Sequence, residues 1–191
     1  NPMNCLRSFD IPGVDVIWRQ LWINPETRND HCIDFFPRYA SSAAAQTGSR
    51  EALAECLAVY GDGVTFDQIR GIVNSLAVRG INLFNFFGLS YGKKQGYCLV
   101  ERPTFDPLKP GFRNLKRLNA VLARLSMIMH IGKPDIKCAL YLPVEDIFAG
   151  GEFSNSAVES FNNTGSELED KHVDFDIIDD DFIRASDSIK Y

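Results

Sequence analysis

The sequence predicts an α/β fold built on a parallel sheet, and three observations carry that prediction. Apolar runs of strand length alternate with helical patterns about five times along the chain, the arrangement of successive strand–helix units. The run from Ala52 to Val59 is small and apolar at both odd and even positions, which reads as a strand covered on both faces, as parallel strands usually are. Between two such runs stands a fully punctuated helix. Thr65 and Gln68 form a capping box, Ile69, Ile72, Val73, Leu76 and Ala77 draw one apolar stripe, and Gly80 stops it.

Composition sets the bounds. A chain of 191 residues, 45% hydrophobic and 24% charged, can bury a real core. A net charge of -5 argues against nucleic acid or an anionic membrane surface as a main partner, because phosphate binding needs clustered Lys and Arg. No apolar run reaches the ~18 residues of a membrane span. The five cysteines, Cys5, Cys32, Cys56, Cys98 and Cys138, contain no CxxC pair, and Cys56 and Cys138 lie inside strand runs as buried thiols, a lean toward a reducing, cytoplasmic compartment. The chain opens on Asn1 with no charged-then-apolar leader, so a piece of something longer is expected.

In order, residues 1 to 13 read as a loop and Val14 to Leu21 as a strand. That strand ends in Trp18, Arg19, Gln20 and Leu21, followed by Trp22. Two indoles with a guanidinium and an amide between them suit a sugar, whose C–H face stacks on aromatic rings while polar groups take its hydroxyls. A strand end packed under a loop, with Arg19 in an ion pair, is the commoner use of such residues. His31 sits in a polar stretch with no second ligand at metal spacing and reads as a loop histidine. Phe36 to Thr47 has helical spacing and stops at Gly48.

The strand at Ala52 to Val59 holds one carboxylate, Glu55. An unpaired buried carboxylate is costly, so Glu55 either meets a cation such as Arg19 or lies where the strand opens into a cleft. Gly61-Asp62-Gly63 follows, but no third glycine opens the helix, and a dinucleotide fingerprint is rejected; no cofactor is called for. Ile81 to Phe87 is the next strand. Residues 88 to 110 read as a long functional loop covering the same sheet edge as Glu55, and Gly111 to His130 as a helix with Leu118, Val121, Leu122, Leu125 and Ile128 on one side and Met127 and Met129 as core filler. A strand at Cys138 to Leu142, a polar loop with Gly150-Gly151, a helix from Ser156 and an alternating strand at Val173 to Ile178 complete the chain. Asp179, Asp180 and Asp181 match no calcium loop and read as acids at a helix start.

The phrases PGVDVIWRQLW, FPRYASSAAAQTGSREALAECLAVYG and VRGINLFNFF resemble the sixth, seventh and eighth units of the TIM-barrel domain in large bacterial glycoside hydrolases, broadly the β-galactosidases and rhamnosidase-like enzymes. RLSMIMHIGKPDIKCALYLP and HVDFDIIDDDFI resemble the start of the doubly wound, amidotransferase-like α/β module that follows such barrels. The resemblance implies the last units of a barrel over residues 1–133 and the start of the second module over 134–191. It implies Glu55 as nucleophile or acid at the barrel rim, with the partner acid on a fourth strand outside this chain. Trp18, Arg19, Gln20, Trp22, Tyr60 and Asn85 become candidate contacts to a carbohydrate substrate. A partial barrel leaves two open sheet edges, so association with a second copy is also expected. The rival reading is a non-catalytic α/β module that binds a partner or a carbohydrate without cleaving it.

Overall fold

The computed structural model describes residues 1–17, 20–21, 33–61, 64–88 and 112–186. It is an α/β structure in which parallel strands alternate with helices. Strands β1 (Gly13–Ile17), β2 (Leu53–Ala58) and β3 (Leu83–Phe86) form one parallel sheet in sequential order, and β4 (Cys138–Leu142) and β5 (Phe175–Asp179) form a second parallel pair. The helices are α1 (Pro2–Arg7), α2 (Arg38–Thr47), α3 (Phe66–Ala77), α4 (Phe112–Ile131), α5 (Val144–Ala149), α6 (Gly151–Asp170) and α7 (Asp180–Ala185). None of them is long and apolar enough to cross a membrane.

The register of the first sheet is pinned at the entrance to its strands. The Asn82 side chain accepts from the Ala52 N–H at 3.0 Å and donates to the Arg50 carbonyl at 2.6 Å, so the starts of β2 and β3 are tied together. The Leu53 N–H donates to the Pro12 carbonyl at 2.9 Å and ties β2 to β1. Three residues further on, this alignment sets Asp15 beside Glu55 and Glu55 beside Asn85.

One face of this sheet is covered. Val16, Ala54 and Cys56 pack with Ala40 and Ala44 of α2, Ile69, Ile72, Val73 and Leu76 of α3, and Leu118 and Leu122 of α4 in a single core. A strand buried on both faces is therefore not what forms. Leu53 and Glu55, on the other side of β2, are only half-buried. The apolar run misled because Leu57 bulges: β1 steps from Cys56 to Ala58, and Leu57, at φ 75°, turns its side chain into the same core as Cys56.

A second core holds Met3, Phe35, Ala43, Leu140, Leu142, Val144, Phe161, Phe175 and Ile177. Helix α2 serves both cores, with Ala40 and Ala44 on one and Ala43 on the other. Its small residues allow this close approach on two sides. Its polar residues protect the edge of β5: Ser42 Oγ accepts from the Ile177 N–H at 2.8 Å, and Gln46 donates to the Ile177 carbonyl at 2.6 Å. An ion network closes the seam, with Arg79 and Arg38 both on Glu169 and Arg38 also on Asp174 and over the Phe175 ring.

Several boundaries differ from expectation. Residues 2 to 7 are helical rather than a loop, because the Asn1 side chain caps the Met3 N–H and Pro2 takes the first turn, where its missing N–H is not needed. Strand β1 ends at Ile17, where the Gln20 N–H turns back to the Ile17 carbonyl at 2.9 Å. Helix α6 starts at Gly151 rather than Ser156; Gly150 and Gly151 form a hinge at φ 74° and 75° between α5 and α6, not an extended loop. On α4 Leu118 and Leu122 are buried, while Val121, Ile128 and Met127 are exposed, so Met127 fills no core. The stretch around His31, the turn at residues 62–63 and nearly all of the expected long loop lie outside the described residues.

Candidate functional site

The face of the first sheet that is left uncovered among the described residues carries a polar row. Asp15, Glu55 and Asn85 are register neighbours on three adjacent parallel strands, and register neighbours in a parallel pair project to the same face. Adjacent strands run about 4.8 Å apart, so two carboxyl groups and one carboxamide stand side by side across about 10 Å. Asp15 and Asn85 are exposed and Glu55 is half-buried. The flanking positions Val14, Val16, Ala54, Cys56, Phe84 and Phe86 pack toward the core, so alternation alone aims the polar row outward.

The electrostatics bear the same arrangement. Partial burial raises the Asp15 carboxyl above its ordinary value, and a hydrogen bond to the Val16 backbone acts the other way. The Cys56 thiol is pushed up to about 12, first by its burial and then by the negative charges of Glu55 and Asp15. Both carboxylates are thus close to one thiol. That thiol, held protonated, is no nucleophile at neutral pH.

Beyond Glu55 the backbone is strained. Leu57 and Val59 adopt φ 75° and 61°, and a β-branched residue in this region is a true outlier. Such strain and bulging cluster next to functional sites. The strand end is held by Tyr60, whose hydroxyl donates to the Leu21 carbonyl at 3.1 Å and whose ring is buried in the core.

The candidate residues therefore separate. Glu55 and Asn85 share the polar row. Tyr60 ties the end of β2 to the chain leaving β1. Gln20 Oε1 accepts from the Ile17 N–H at 2.9 Å, so its carbonyl is engaged in ending β1. Trp18, Arg19 and Trp22 lie outside the described residues. Asp15 was not singled out by sequence reasoning, although the alternation of Val14, Asp15 and Val16 already set it on the face opposite the valines.

A cavity of about 640 Å³ lies elsewhere, lined by Arg38, Arg50, Ala52, Arg79, Asn82 and Lys133 among others. It opens at the entrance to β2 and β3, about 10 Å of strand upstream of Glu55 and Asn85. Its Arg38 and Arg79 are spent on Glu169 and Asp174. Chemistry at parallel sheets gathers toward the carboxyl ends of strands, and the polar row, the third residue of each strand, lies nearer that end than this cavity does. The polar row is the better site.

The acidic run near the C-terminus is structural. Asp179 caps α7 through the Phe182 N–H and pairs with Arg7 at 2.8 Å. Tyr141 donates to Asp180 at 2.6 Å, and Asn1 and Asn4 hold Asp181.

Neither protein-family models nor curated proteins give a match to this chain.

Proposed function

We propose that this chain forms the closing part of a glycoside hydrolase barrel and that Glu55 is the carboxylate acting on the anomeric carbon of a bound sugar. The observation that carries the reading is the row Asp15–Glu55–Asn85 on the face that no described helix covers, in a sheet whose strands run in sequential order. Sequential parallel strands with every crossover helix on one side are what a segment of a (β/α) barrel has, and the uncovered face is then the barrel interior. A complete doubly wound sheet changes direction and carries helices on both faces; one half of it shares the sequential order, so it is the polar row on the open face that favours the barrel. Residues 134–191, with their own parallel pair, are read as the start of the following amidotransferase-like module.

In the chemistry this supports, Glu55 attacks the anomeric carbon while an acid supplied from outside this chain protonates the departing glycosidic oxygen. The C–O bond to the leaving group breaks as the glycosyl ester forms. Water, deprotonated by the same partner acid, then releases the sugar and restores the Glu55 carboxylate. Asn85 is placed to hold a hydroxyl of that sugar, and Tyr60 fixes the carboxyl end of the strand that carries Glu55 at its third residue. Trp18, Arg19, Gln20 and Trp22 remain part of the proposed sugar-binding rim by resemblance.

The test is hydrolysis of a panel of nitrophenyl glycosides by this chain and by a form extended at its N-terminus with the rest of a barrel. Glu55→Gln is carried beside both. Cleavage by the extended form that Glu55→Gln removes, with the fold intact by circular dichroism, supports the reading. Cleavage that survives Glu55→Gln overturns it, and sugar binding without any cleavage points instead to a non-catalytic carbohydrate-binding module.

A further inference from the structure

We propose that Asp15 is a substrate-contacting residue of the Glu55 site, holding hydroxyls of the bound sugar, and that the row it forms selects neutral sugars over acidic ones. This rests on the reading of Glu55 as the reactive carboxylate. The argument begins with register. Asp15 and Glu55 are paired on adjacent strands and lie on the face that no described helix covers. With the two carboxylates paired in this way, both add their negative charge to the burial that pushes up the Cys56 thiol. Among the described residues Asp15 has no ion pair, and its side chain is exposed, so packing within them does not account for it.

Geometry decides which role Asp15 takes. The acid of a glycosidase must flank the scissile bond from the side opposite the nucleophile. Two residues paired on neighbouring strands face a sugar ring from the same side, so Asp15 is poorly placed to protonate the leaving oxygen. An ionised carboxylate accepts two or more hydroxyl hydrogen bonds, and such charge-assisted bonds are the strong ones in carbohydrate recognition. Asp15 and Asn85 then bracket Glu55 on either side, one as a pure acceptor and the other able to donate and accept.

Charge gives the selectivity. The three strands contribute two carboxylates and no Lys, Arg or His over residues 13–17, 53–58 and 83–86. A uronate or sulfated sugar lying across this row meets two like charges and no cation on the strands themselves; Arg19, the one cation of the proposed rim, follows β1 by two residues, so the selection is expected for the part of the sugar that contacts the row. A neutral sugar meets acceptors.

The experiment measures kcat and KM on nitrophenyl galactoside and glucoside and on the matching galacturonide and glucuronide. It uses the hydrolytically active form carrying wild-type sequence, Asp15→Ala, Asp15→Asn or Glu55→Gln. Asp15→Ala is expected to raise KM for the neutral substrate about tenfold to a hundredfold, the worth of a hydrogen bond to a charged group. Its kcat should change far less, since binding common to ground and transition states is what is lost. Asp15→Asn, which keeps one acceptor, should fall between. Uronides should be disfavoured at least tenfold in wild type, and Asp15→Asn should narrow that gap. A merely structural Asp15 would not move the neutral-to-acidic ratio. Unchanged KM in Asp15→Ala, or uronides processed as well as their neutral parents, overturns this inference while Glu55→Gln still tests the reading beneath it. If Glu55→Gln retains activity, or no glycoside is cleaved or bound, both fall together.

Discussion

Gly165 sits in the interior of α6, where glycine ordinarily weakens a helix, and replacing it with alanine ordinarily gains about 0.8–1.0 kcal/mol. Here the opposite sign is expected. A Cβ at Gly165 would lie 2.3 and 2.4 Å from two ring carbons of Phe35 and 3.0 Å from a methyl of Leu140. Comfortable carbon contacts are about 3.5–4.0 Å, so the ring must retreat by more than about 1 Å. It has no room to do so: Phe35 is fully buried, edge-on to Phe161 at 5.5 Å and to Phe175 at 5.6 Å between ring centroids. Overpacking costs about 1–3 kcal/mol, and contacts this short against a ring without room belong in the upper part of that range, about 2–3 kcal/mol. Set against the helical gain, Gly165→Ala should destabilise the protein by about 1–2 kcal/mol, a fall in Tm of about 2–8 °C for a chain of this size. Urea denaturation and differential scanning calorimetry of both proteins measure it. Phe35→Leu combined with Gly165→Ala should be more stable than the two single changes add up to, because the smaller side chain yields the space. A Gly165→Ala protein as stable as wild type or more so would refute the packing of α6 onto Phe35.

Two further predictions concern charge and reactivity. Burial works to raise the Asp179 carboxyl, but hydrogen bonds from Arg7, Asn1 and the Phe182 N–H outweigh it and hold the group below its usual range. A depressed folded value means the contribution is fully present above the unfolded value of about 3.9 and is lost as pH falls through the folded value. The urea midpoint should therefore drop more steeply below about pH 4 in wild type than in Asp179→Asn, and parallel slopes would count against the pairing. Arg7→Met, which strands a fully buried carboxylate, should cost about 3 kcal/mol at pH 7 in the same assay. With its thiol pushed up to about 12 by burial, Cys56 should resist iodoacetamide at pH 8 while exposed Cys5 is alkylated, as read by peptide mass spectrometry. Alkylation of Cys56 at the rate of Cys5 would mean that the helix-covered face is open.

Much of this was legible in the sequence because the signals were local. The capping box of Thr65 and Gln68 forms as read, with the hydroxyl accepting at 3.2 Å and the amide at 2.8 Å. Strand β4 occupies the expected residues, since a short apolar run bounded by Lys137 and Pro143 leaves little choice. The N-terminal helix went unread although its signs were present, because Asn1 and Pro2 were counted as loop residues rather than as a cap and a first turn. Gly150 and Gly151 misled in the other direction, their hinge being short enough for helix to resume at once.

The site was half legible. An isolated Glu55 among apolar residues announces itself, but Asp15 gains meaning only through its pairing, which depends on where Asn82 and Pro12 lock the strand entrances. Register is a tertiary property, and alternation within one strand gives the face without giving the neighbour. The same holds for Tyr60 and Gln20, whose polar groups are absorbed by the backbone around the strand ends.

The most direct test of Glu55 as the reacting carboxylate is to trap its ester. The hydrolytically active form is incubated with a 2-deoxy-2-fluoro glycoside of the sugar it cleaves, which slows release of the glycosyl group, and the digested protein is mapped by mass spectrometry. One glycosyl adduct on the peptide containing Glu55, absent from Glu55→Gln, is the predicted result. An adduct on a different carboxylate, or inactivation that proceeds equally in Glu55→Gln, would contradict it.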